Sequence, residues 1–539
     1  MPILTLLSPR FITLTLCVLV SALLLLTVAW FPQLYLLLIP FAVFIGLVFV
    51  GLRDLVQTRH AILRNYPIAA HLRFILEAIR PEMRQYFFED EKFGTPFSRD
   101  KRAIVYQRAK RQLDKRPFGT NYDVYAEGYE WLNHSMSPTT VPGDHFRIDV
   151  GSHGRAYSAS MLNISAMSFG ALSSNAIRAL NKGAKEGGFA HDTGEGGYSP
   201  HHQEFGGDVI WELGSGYFGA RNSDGSFCAE RFAEVAQNDQ IKMIEVKLSQ
   251  GAKPGHGGVL PAAKVSAEIA QTRGVPMGQD CISPSRHSAF STPTELLHFI
   301  AKLRELSGNK PTGFKLCVGH EWEFLAICKA MLATGIHPDF IVVDGKEGGT
   351  GAAPLEFIDH IGKPLREGLS FVHNALTGIG LRDQIRIGAS GKVISAFDIA
   401  RAIALGADWC NSARGFMFAL GCIQSQSCHT DRCPTGVATQ DRSRQRALVV
   451  PDKAERVANF HRETMKSLAE LTAAAGLDHP SQFGRVHISR RISPSEVQTF
   501  AQLYPVVRSG VLVEDAGASP LYAAWQAANA DSFRPVTLN

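Results

Sequence analysis

Three cysteines close together in the chain are the residues best suited to redox chemistry. Cys422, Cys428 and Cys433 follow a C-x5-C-x4-C pattern. Loops of this length let three thiolates spread around an inorganic iron–sulfur core, whereas structural zinc usually takes C-x2–4-C pairs and four ligands. Nine cysteines without regular pairing indicate a reducing compartment. From the spacing alone, three buried free thiols are the alternative.

Two glycine-rich segments are candidates for binding a phosphate. GASGKV (388–393) and NSARGF (411–416) each end an apolar run, and small residues there let backbone N–H groups approach an anion. EGGTGA (347–352) supplies further backbone of this kind. Glycine also serves ordinary turns, but two such loops in succession, with Arg414 beside one, favour a bound phosphate.

Four charged residues are candidates for chemistry on a small anion. Lys247 ends a predicted strand, where a buried cation would either stabilise a reduced flavin or form an ordinary salt bridge. Lys253 and Arg273 would suit a dicarboxylate, although Arg273 taken alone fits a helix cap better. Glu195, between glycines in DTGEGG, is a candidate proton donor.

A repeating β-then-α pattern beginning near Asn163 positions these residues. Short β-branched runs such as NISAMSFG, MIEVKLSQ, GFKLCVG and DFIVVDG alternate with helical segments. Such repeats imply a parallel sheet with right-handed crossovers, and their number predicts a closed (β/α)8 TIM barrel. In such barrels chemistry lies at the C-terminal ends of the strands. A doubly wound open sheet is the alternative, but no G-x-G-x-x-G opens the first unit.

The N-terminal segment predicts membrane attachment. No charged residue lies between Arg10 and Arg53, and Pro32–Gln33 interrupts this apolar run midway. About 20 residues cross a bilayer, so residues 11–30 and 34–52 are predicted to form a transmembrane hairpin rather than a signal peptide. Basic residues flank the hairpin and none lies in its turn, which places both ends in the cytoplasm. We therefore expect an inner-membrane protein whose catalytic domain faces the cytoplasm.

Composition divides the chain into four predicted segments: a hairpin (1–55), a mixed helical linker (56–145), the barrel (146–445) and a C-terminal helical extension (446–539). Helices are predicted over 452–476 and 494–503. The basic run KRAIVYQRAKRQLDKR fits an exposed helix face better than contact with anionic headgroups. A formal net charge of +5 over 539 residues gives no support for nucleic-acid binding.

Motifs along the barrel occur in the order of one known enzyme family. They are SAMSFGALS, DTGEGG, EVKLSQGAKPG, ISPSRH, DGKEGGTGAAP, GADWCNSARGFMFALGC and the cysteine run ending in PTGVATQ. Over about residues 150–445 the chain closely resembles the FMN-binding synthase domain of glutamate synthase, and with its hairpin it resembles short membrane-associated bacterial members. The resemblance implies FMN beside a 3Fe–4S cluster and reduction of the imine of 2-oxoglutarate and ammonia to L-glutamate.

The resemblance also implies roles for individual residues. Cys422, Cys428 and Cys433 would ligate the cluster, and a distant fourth cysteine would make it 4Fe–4S. Glu195, Lys253 and Arg273 would be catalytic, the last two by holding the 2-oxoglutarate carboxylates. The residues expected to bind FMN are Ser165, Ala166, Met167, Ser168, Lys247, Gly349, Gly388, Ser390, Gly391, Ser412, Ala413 and Arg414.

Three departures from the family pattern predict a changed substrate pocket. His256 and Val259 replace an acid and a polar residue, and Tyr198 stands where an acid is usual. The alternatives are therefore an enzyme making an N-substituted glutamate, or a membrane-tethered protein passing electrons to a quinone or another protein. A cofactor-free structural role is the least favoured.

Two modules of the full-length enzyme are expected to be absent. The first cysteine, Cys17, lies in a predicted membrane helix, so no N-terminal cysteine glutaminase is expected, and no glycine-repeat β-helix follows the barrel. Nitrogen is then expected as free ammonia or from a partner. Electrons are expected from ferredoxin or a separate reductase subunit, because no pyridine-nucleotide domain is recognisable.

Overall fold

A computed structural model describes residues 8–143, 145–151 and 154–536, and the chain divides into two compact units, one ending at Phe93 and one beginning at Gly94. The first unit contains the segments Ile12–Trp30 and Pro32–Val56, each long and apolar enough to cross a membrane by length and composition. Only 17% and 11% of the most apolar stretch of each segment is buried, whereas a core helix of a soluble protein is mostly buried. The elements of this unit are Ile12–Trp30, the 3-10 turn Pro32–Leu37, Leu38–Val56, Ala61–Asn65, Ala70–Met83 and the π-helical turn Arg84–Phe88.

Eight parallel strands form a closed barrel in the second unit, and neighbouring strands follow one another in the sequence. We label them β1 to β8: Leu162–Ile164, His191–Asp192, Val209–Leu213, Ile241–Lys247, Thr312–Leu316, Phe340–Asp344, Arg386–Ser390 and Trp409–Ser412. Cys410 of β8 pairs with Leu162 of β1 and closes the barrel. The predicted (β/α)8 fold is confirmed, and the open sheet is excluded.

Helices follow the strands along the chain. They are Ser174–Gly187 after β1, Pro200–Gln203 after β2, Ala229–Ala236 after β3, Ala267–Arg273 and Pro293–Leu306 after β4, Glu321–Thr334 after β5, Leu355–His360 and Leu365–Gly378 after β6, Ala396–Ala404 after β7 and Arg414–Leu420 after β8. Ser173 and Thr292 cap two of them, because their hydroxyls accept N–H groups of the first turn. Every residue of β3, β5 and β6 is buried, as expected for strands with side chains packed on both faces.

The regions flanking the barrel pack together on its outside. The predicted helix over 452–476 spans Val450–Ala474, but 494–503 contains the strand Glu496–Thr499 and only one helical turn, Phe500–Leu503. The chain reverses after Ser493, which lets this segment pair with the preceding strand. The flanking elements are helices Arg99–Ala109, Arg442–Gln445, Val511–Glu514 and Tyr522–Ala527, a sheet of Glu130–Leu132, Ile488–Ser493 and Glu496–Thr499, and the strand pair Arg147–Val150 with Tyr157–Ser160. A further short pair, Val259–Leu260 with Cys281–Ile282, belongs to the barrel and lies between β4 and the helix Pro293–Leu306.

The basic run after residue 100 forms part of a packed helix. Arg108 is buried and donates hydrogen bonds to Asp114 at 3.0 Å and to Thr464 at 3.2 Å. Part of this predicted solvated face is therefore an internal contact of the second unit.

Candidate active site

Two adjoining cavities lie at the C-terminal ends of the barrel strands. The larger measures about 980 Å³ out to its open mouth, and the smaller about 540 Å³. Both are lined by Ala166, Gln250, Gly349, Ala413 and Arg414. An elongated ligand can therefore occupy the two cavities with one end in each.

The smaller cavity has the features of a phosphate site. Its wall includes Ser390, Gly391, Ser412, Lys392 and Arg414. In the described part of the chain, neither cation has a carboxylate within 4.0 Å, and Arg414 donates hydrogen bonds to the Thr350 carbonyl at 2.7 Å and to the Met417 sulfur at 2.9 Å. A Cβ on Gly349 would lie 3.0 Å from Arg414 Nε, so glycine keeps the backbone close to the guanidinium. Unpaired cations beside small residues suit a phosphate group.

An ion pair between Glu195 and Lys247 forms one side of the larger cavity. Lys247 Nζ contacts the Glu195 carboxylate and lies 3.7 Å from Glu212 Oε1. Burial acts to raise the pKa of Glu195, but Lys247 and the more distant Arg273 and Lys253 lower it to about 2. Burial acts to lower the pKa of Lys247, but Glu195 and Glu212 outweigh it and raise it. Glu195 is therefore a carboxylate, and the proton of the pair resides on Lys247.

Lys253 and Arg273 are buried cations that face the same cavity, with 5% and 3% of their surfaces exposed. Within the described ranges neither has a carboxylate within 4.0 Å. Lys253 donates to the Ala352 carbonyl at 3.2 Å, and Arg273 to the Phe169 carbonyl at 3.0 Å. The buried Nε of Arg273 has no hydrogen-bond partner. Buried charges are normally paired, so these two are available to an anionic ligand.

The orientation of Arg273 decides between its two predicted roles. The helix Ala267–Arg273 ends at Gly274, which adopts the left-handed conformation and bonds back to the last turn through its N–H. This glycine caps the helix, whereas the Arg273 side chain lies along the cavity wall.

A network of buried charges inside the barrel supports Lys247. Strand register places Glu212 beside Glu245 and Lys247 beside Lys315. Lys315 Nζ contacts Glu212 and lies 3.4 Å from Glu245. Carboxylate oxygens of Asp192, Glu212 and Glu245 lie within 4.8 Å of one another, but Lys315 already supplies a positive charge among them. Glu212 and Lys315 were not predicted as site residues, although a single charge inside each of the apolar runs VIWEL and GFKL was a usable signal.

The Asp192 carboxyl in this network predicts a pH-dependent stability. Burial, and next the charge of Glu212, raise the pKa of Asp192 from 3.8 to about 7. Because the folded pKa lies above the unfolded one, the stabilising contribution is complete below about pH 4 and is lost as the pH rises through about 7. Asp192→Asn keeps an oxygen for the Gly194 N–H, now bonded at 2.9 Å, and removes the titration. The melting temperature of wild type should fall more steeply from about pH 5 to about pH 7 than that of Asp192→Asn, and the two slopes should converge above that range.

Asp239→Asn, at a side chain 94% exposed, is the matched control and should behave as wild type. Equal slopes for wild type and Asp192→Asn would show that Asp192 does not titrate in this range.

The three candidate cluster cysteines lie beside the larger cavity. Cys428 lines it. Burial, with smaller contributions from negative charge on Cys428 and Cys433, raises the pKa of Cys422 to about 11. Burial acts to raise the pKa of Cys433, but the Thr435 hydroxyl and backbone N–H groups, including that of Ala438, lower it. Such N–H donors stabilise thiolate ligands.

The spacing of the three sulfurs bears on the kind of metal site. Two sulfurs sharing one zinc ion lie at most about 4.6 Å apart, because each Zn–S bond is about 2.3 Å. Among the described residues, the three thiols do not form a group within 4.8 Å. The arrangement is therefore wider than a zinc site formed by all three thiols.

Most residues predicted for the site line one or both cavities; the exceptions are Gly388, Cys422 and Cys433. Gly388 lies within β7, and a Cβ there would come within 2.7 Å of the Trp409 ring, so packing explains this glycine. Cavity-lining residues that the sequence analysis did not select include Gln250, Lys264, Lys392 and His429.

The departures from the family pattern change the cavity wall at fewer positions than expected. Of the three departures only Val259 lines the larger cavity. Tyr198 bonds to Gln240 through its hydroxyl, and the His256 ring packs against Phe357 at 5.1 Å. The expectation that all three touch the pocket was wrong for Tyr198 and His256.

Comparison with known proteins is consistent with this geometry. A family model described as the conserved region in glutamate synthase matches residues 153–478. The glutamate synthase large subunit-like protein YerD of Bacillus subtilis is 39% identical over 485 residues, covering 82% of this chain and 92% of that protein. The archaeal glutamate synthase (NADPH) of Methanocaldococcus jannaschii is 37% identical over 320 residues, covering 58% of this chain and 59% of that protein. The chain belongs to the glutamate synthase family and is an oxidoreductase of the glutamate synthase type.

Proposed function

We propose that this protein reduces the imine formed from 2-oxoglutarate and ammonia to L-glutamate, using FMN and an iron–sulfur cluster and no glutaminase of its own. The observation that carries the proposal is the pair Lys253 and Arg273. Both are buried, both face one cavity, and neither has a carboxylate within 4.0 Å in the described part of the chain. A dicarboxylate supplies the two negative charges that this pair lacks.

The lining of the two cavities supports one placement of FMN. Its phosphate would be held in the smaller cavity by Lys392, Arg414 and the backbone around Gly349 and Gly391, and its ring would lie in the larger one. When bound, FMN supplies the hydride that reduces the imine carbon.

The remaining tasks fall to side chains of the larger cavity. Lys253 and Arg273 bind and orient the two carboxylates of the substrate. Lys247 holds a proton at Nζ and can pass it to the oxygen that leaves as water when the imine forms. Glu195, ionised and fixed beside Lys247, accepts a hydrogen bond from the imine nitrogen and stabilises its positive charge. This assigns the proton donation predicted for Glu195 to its partner Lys247.

The cluster and the electron supply complete the proposal. Cys422, Cys428 and Cys433 would ligate a 3Fe–4S cluster, and the position of Cys428 on the cavity wall supports its closeness to the flavin. Ferredoxin or a separate reductase subunit would supply electrons. The two apolar segments would anchor the protein in the inner membrane, and Arg10, Arg53 and Arg59 favour a cytoplasmic catalytic unit.

The proposal is tested with the full-length protein in detergent, loaded with FMN and iron and reduced chemically. Addition of 2-oxoglutarate and ammonium should reoxidise the flavin and release one glutamate for each two electrons. A flavin that is reduced, does not respond to both substrates and is reoxidised by a quinone would favour the electron-transfer alternative.

Val259 favours a second candidate substrate. Its apolar side chain lines the cavity where the family pattern has a polar contact, so it can accommodate an alkyl group. An enzyme making an N-substituted glutamate would use methylamine in preference to ammonium. Competition between the two amines at equal concentration separates the candidates.

Arg414→Gln is expected to lower FMN occupancy. Losing a charge-assisted hydrogen bond to a phosphate costs about 2 kcal/mol, or roughly a 30-fold weaker affinity. Flavin absorbance per protein after extensive dialysis is the measurement. Arg221→Gln is the control, because Arg221 lines neither cavity, and retained flavin in Arg414→Gln would contradict the phosphate assignment.

A further inference from the structure

The first unit carries an exposed apolar stripe outside its two proposed spans. The stripe consists of Leu72, Ile75, Leu76, Ile79, Met83 and Tyr86, on the helix Ala70–Met83 and the π-helical turn that follows it. These residues recur at helical spacing, so they share one face. Between 37% and 60% of each residue is exposed, which is unusual for six large apolar residues in a row along one helix face.

Basic residues accompany the stripe along one edge. Arg73, Arg80 and Arg84 recur at intervals of seven and four residues, and all three are exposed. Arg80 has Glu77 3.6 Å away, but both side chains are largely exposed to solvent. A stripe bordered by arginines is typical of helices that lie in the headgroup region of anionic membranes.

The start of this helix is fixed to the end of the second proposed span. Asp54, in the last turn of Leu38–Val56 and 1% exposed, pairs with His71 Nε2 at 2.9 Å and accepts the Ile68 N–H at 3.0 Å. The Ile68 side chain packs against the buried cluster of Leu14 and Val48. Ile68 follows Asp54 by fourteen residues, so the chain is still attached at that point to the C-terminal end of the second proposed span.

We propose that the stripe lies in the cytoplasmic interface of the membrane, inserted among anionic lipid headgroups and held there by the Asp54–His71 contact. The proposal rests on the proposed membrane attachment of the hairpin and adds to it a surface-lying helix. Three features favour lipid over a protein partner: the chain continues from the spans into this helix, arginines border the stripe, and the stripe ends at Tyr86. Amphipathic rings and basic side chains prefer the headgroup level of a membrane.

The experiment is amide hydrogen exchange on the full chain in liposomes of phosphatidylglycerol and phosphatidylethanolamine. Ile79→Glu places a charge in the centre of the stripe. Ala78→Glu introduces the same charge into the same helix, about 100° away on the helix surface. Residues 72–86 should exchange at least about tenfold faster in Ile79→Glu than in wild type, and as in wild type in Ala78→Glu. Residues 12–30 and 38–56 should stay protected in all three proteins.

Other outcomes separate the two proposals. Equal protection of residues 72–86 in all three proteins would overturn the surface helix while leaving the anchor intact. Protection that follows the protein-to-lipid ratio would indicate a second copy of the chain as the covering surface and also overturn it. Release of wild type from the liposomes by alkaline carbonate would overturn the membrane attachment itself.

Discussion

Replacing Arg273 with glutamine is expected to raise the KM for 2-oxoglutarate by about 100-fold or more. Truncating one partner of a buried ion pair costs about 3 kcal/mol, and each 1.4 kcal/mol is a factor of ten. Lys253→Gln should show an effect of similar size. Both cations would bind the substrate in the ground state as in the transition state, so the loss should fall mainly on KM. Steady-state glutamate formation at saturating ammonium is the measurement.

Two further variants sharpen this prediction. Arg273→Lys keeps the charge but loses the planar fork, so it should recover only part of the affinity. Arg221→Gln is the matched control: Arg221 and Arg273 lie over the same Phe218 ring, at 5.6 Å and 5.1 Å, but only Arg273 lines the cavity. An unchanged KM in both Arg273→Gln and Lys253→Gln would show that the substrate carboxylates bind elsewhere.

The barrel was predictable because its signals are local in the sequence. Each strand is a short apolar run and each helix follows it directly, so the alternation alone implies the parallel closed sheet. The C-terminal sheet was not predictable in this way. Its edge strand pairs Glu130 with Arg490, residues far apart in the chain, and propensity alone left 494–503 as a helix.

The candidate site was likewise predictable only in part. Residue types near strand ends indicated which side chains could meet, and most of them line the two cavities. Their charge states were not predictable, because they depend on neighbours from other strands. Glu195 illustrates this, since its pKa is lowered to about 2 chiefly by Lys247, which comes from a different βα unit. Lys392 was missed because it follows the glycines of its loop and only the fold places it on the cavity wall.

Cys433→Ala is expected to remove the iron from the protein almost completely. Cys433 is 5% exposed, and hydrogen bonds from the Thr435 hydroxyl and neighbouring backbone N–H groups favour its thiolate. The proposed three-ligand cluster would then keep only Cys422 and Cys428, and metal affinity depends steeply on the number of ligands. Iron and sulfide analysis of anaerobically purified protein, with electron paramagnetic resonance of the oxidised form, measures the loss.

The flavin content separates cluster loss from unfolding. Lys392 and Arg414, which we propose to bind the phosphate, lie outside the cysteine loop, so Cys433→Ala should keep FMN while losing iron. Cys328→Ala is the control, because Cys328 is equally a buried free thiol but belongs to the helix Glu321–Thr334. Iron retained at the wild-type level in Cys433→Ala and in Cys422→Ala would overturn the cluster assignment. In that case the three thiols would be packing residues of the loop that borders the cavity.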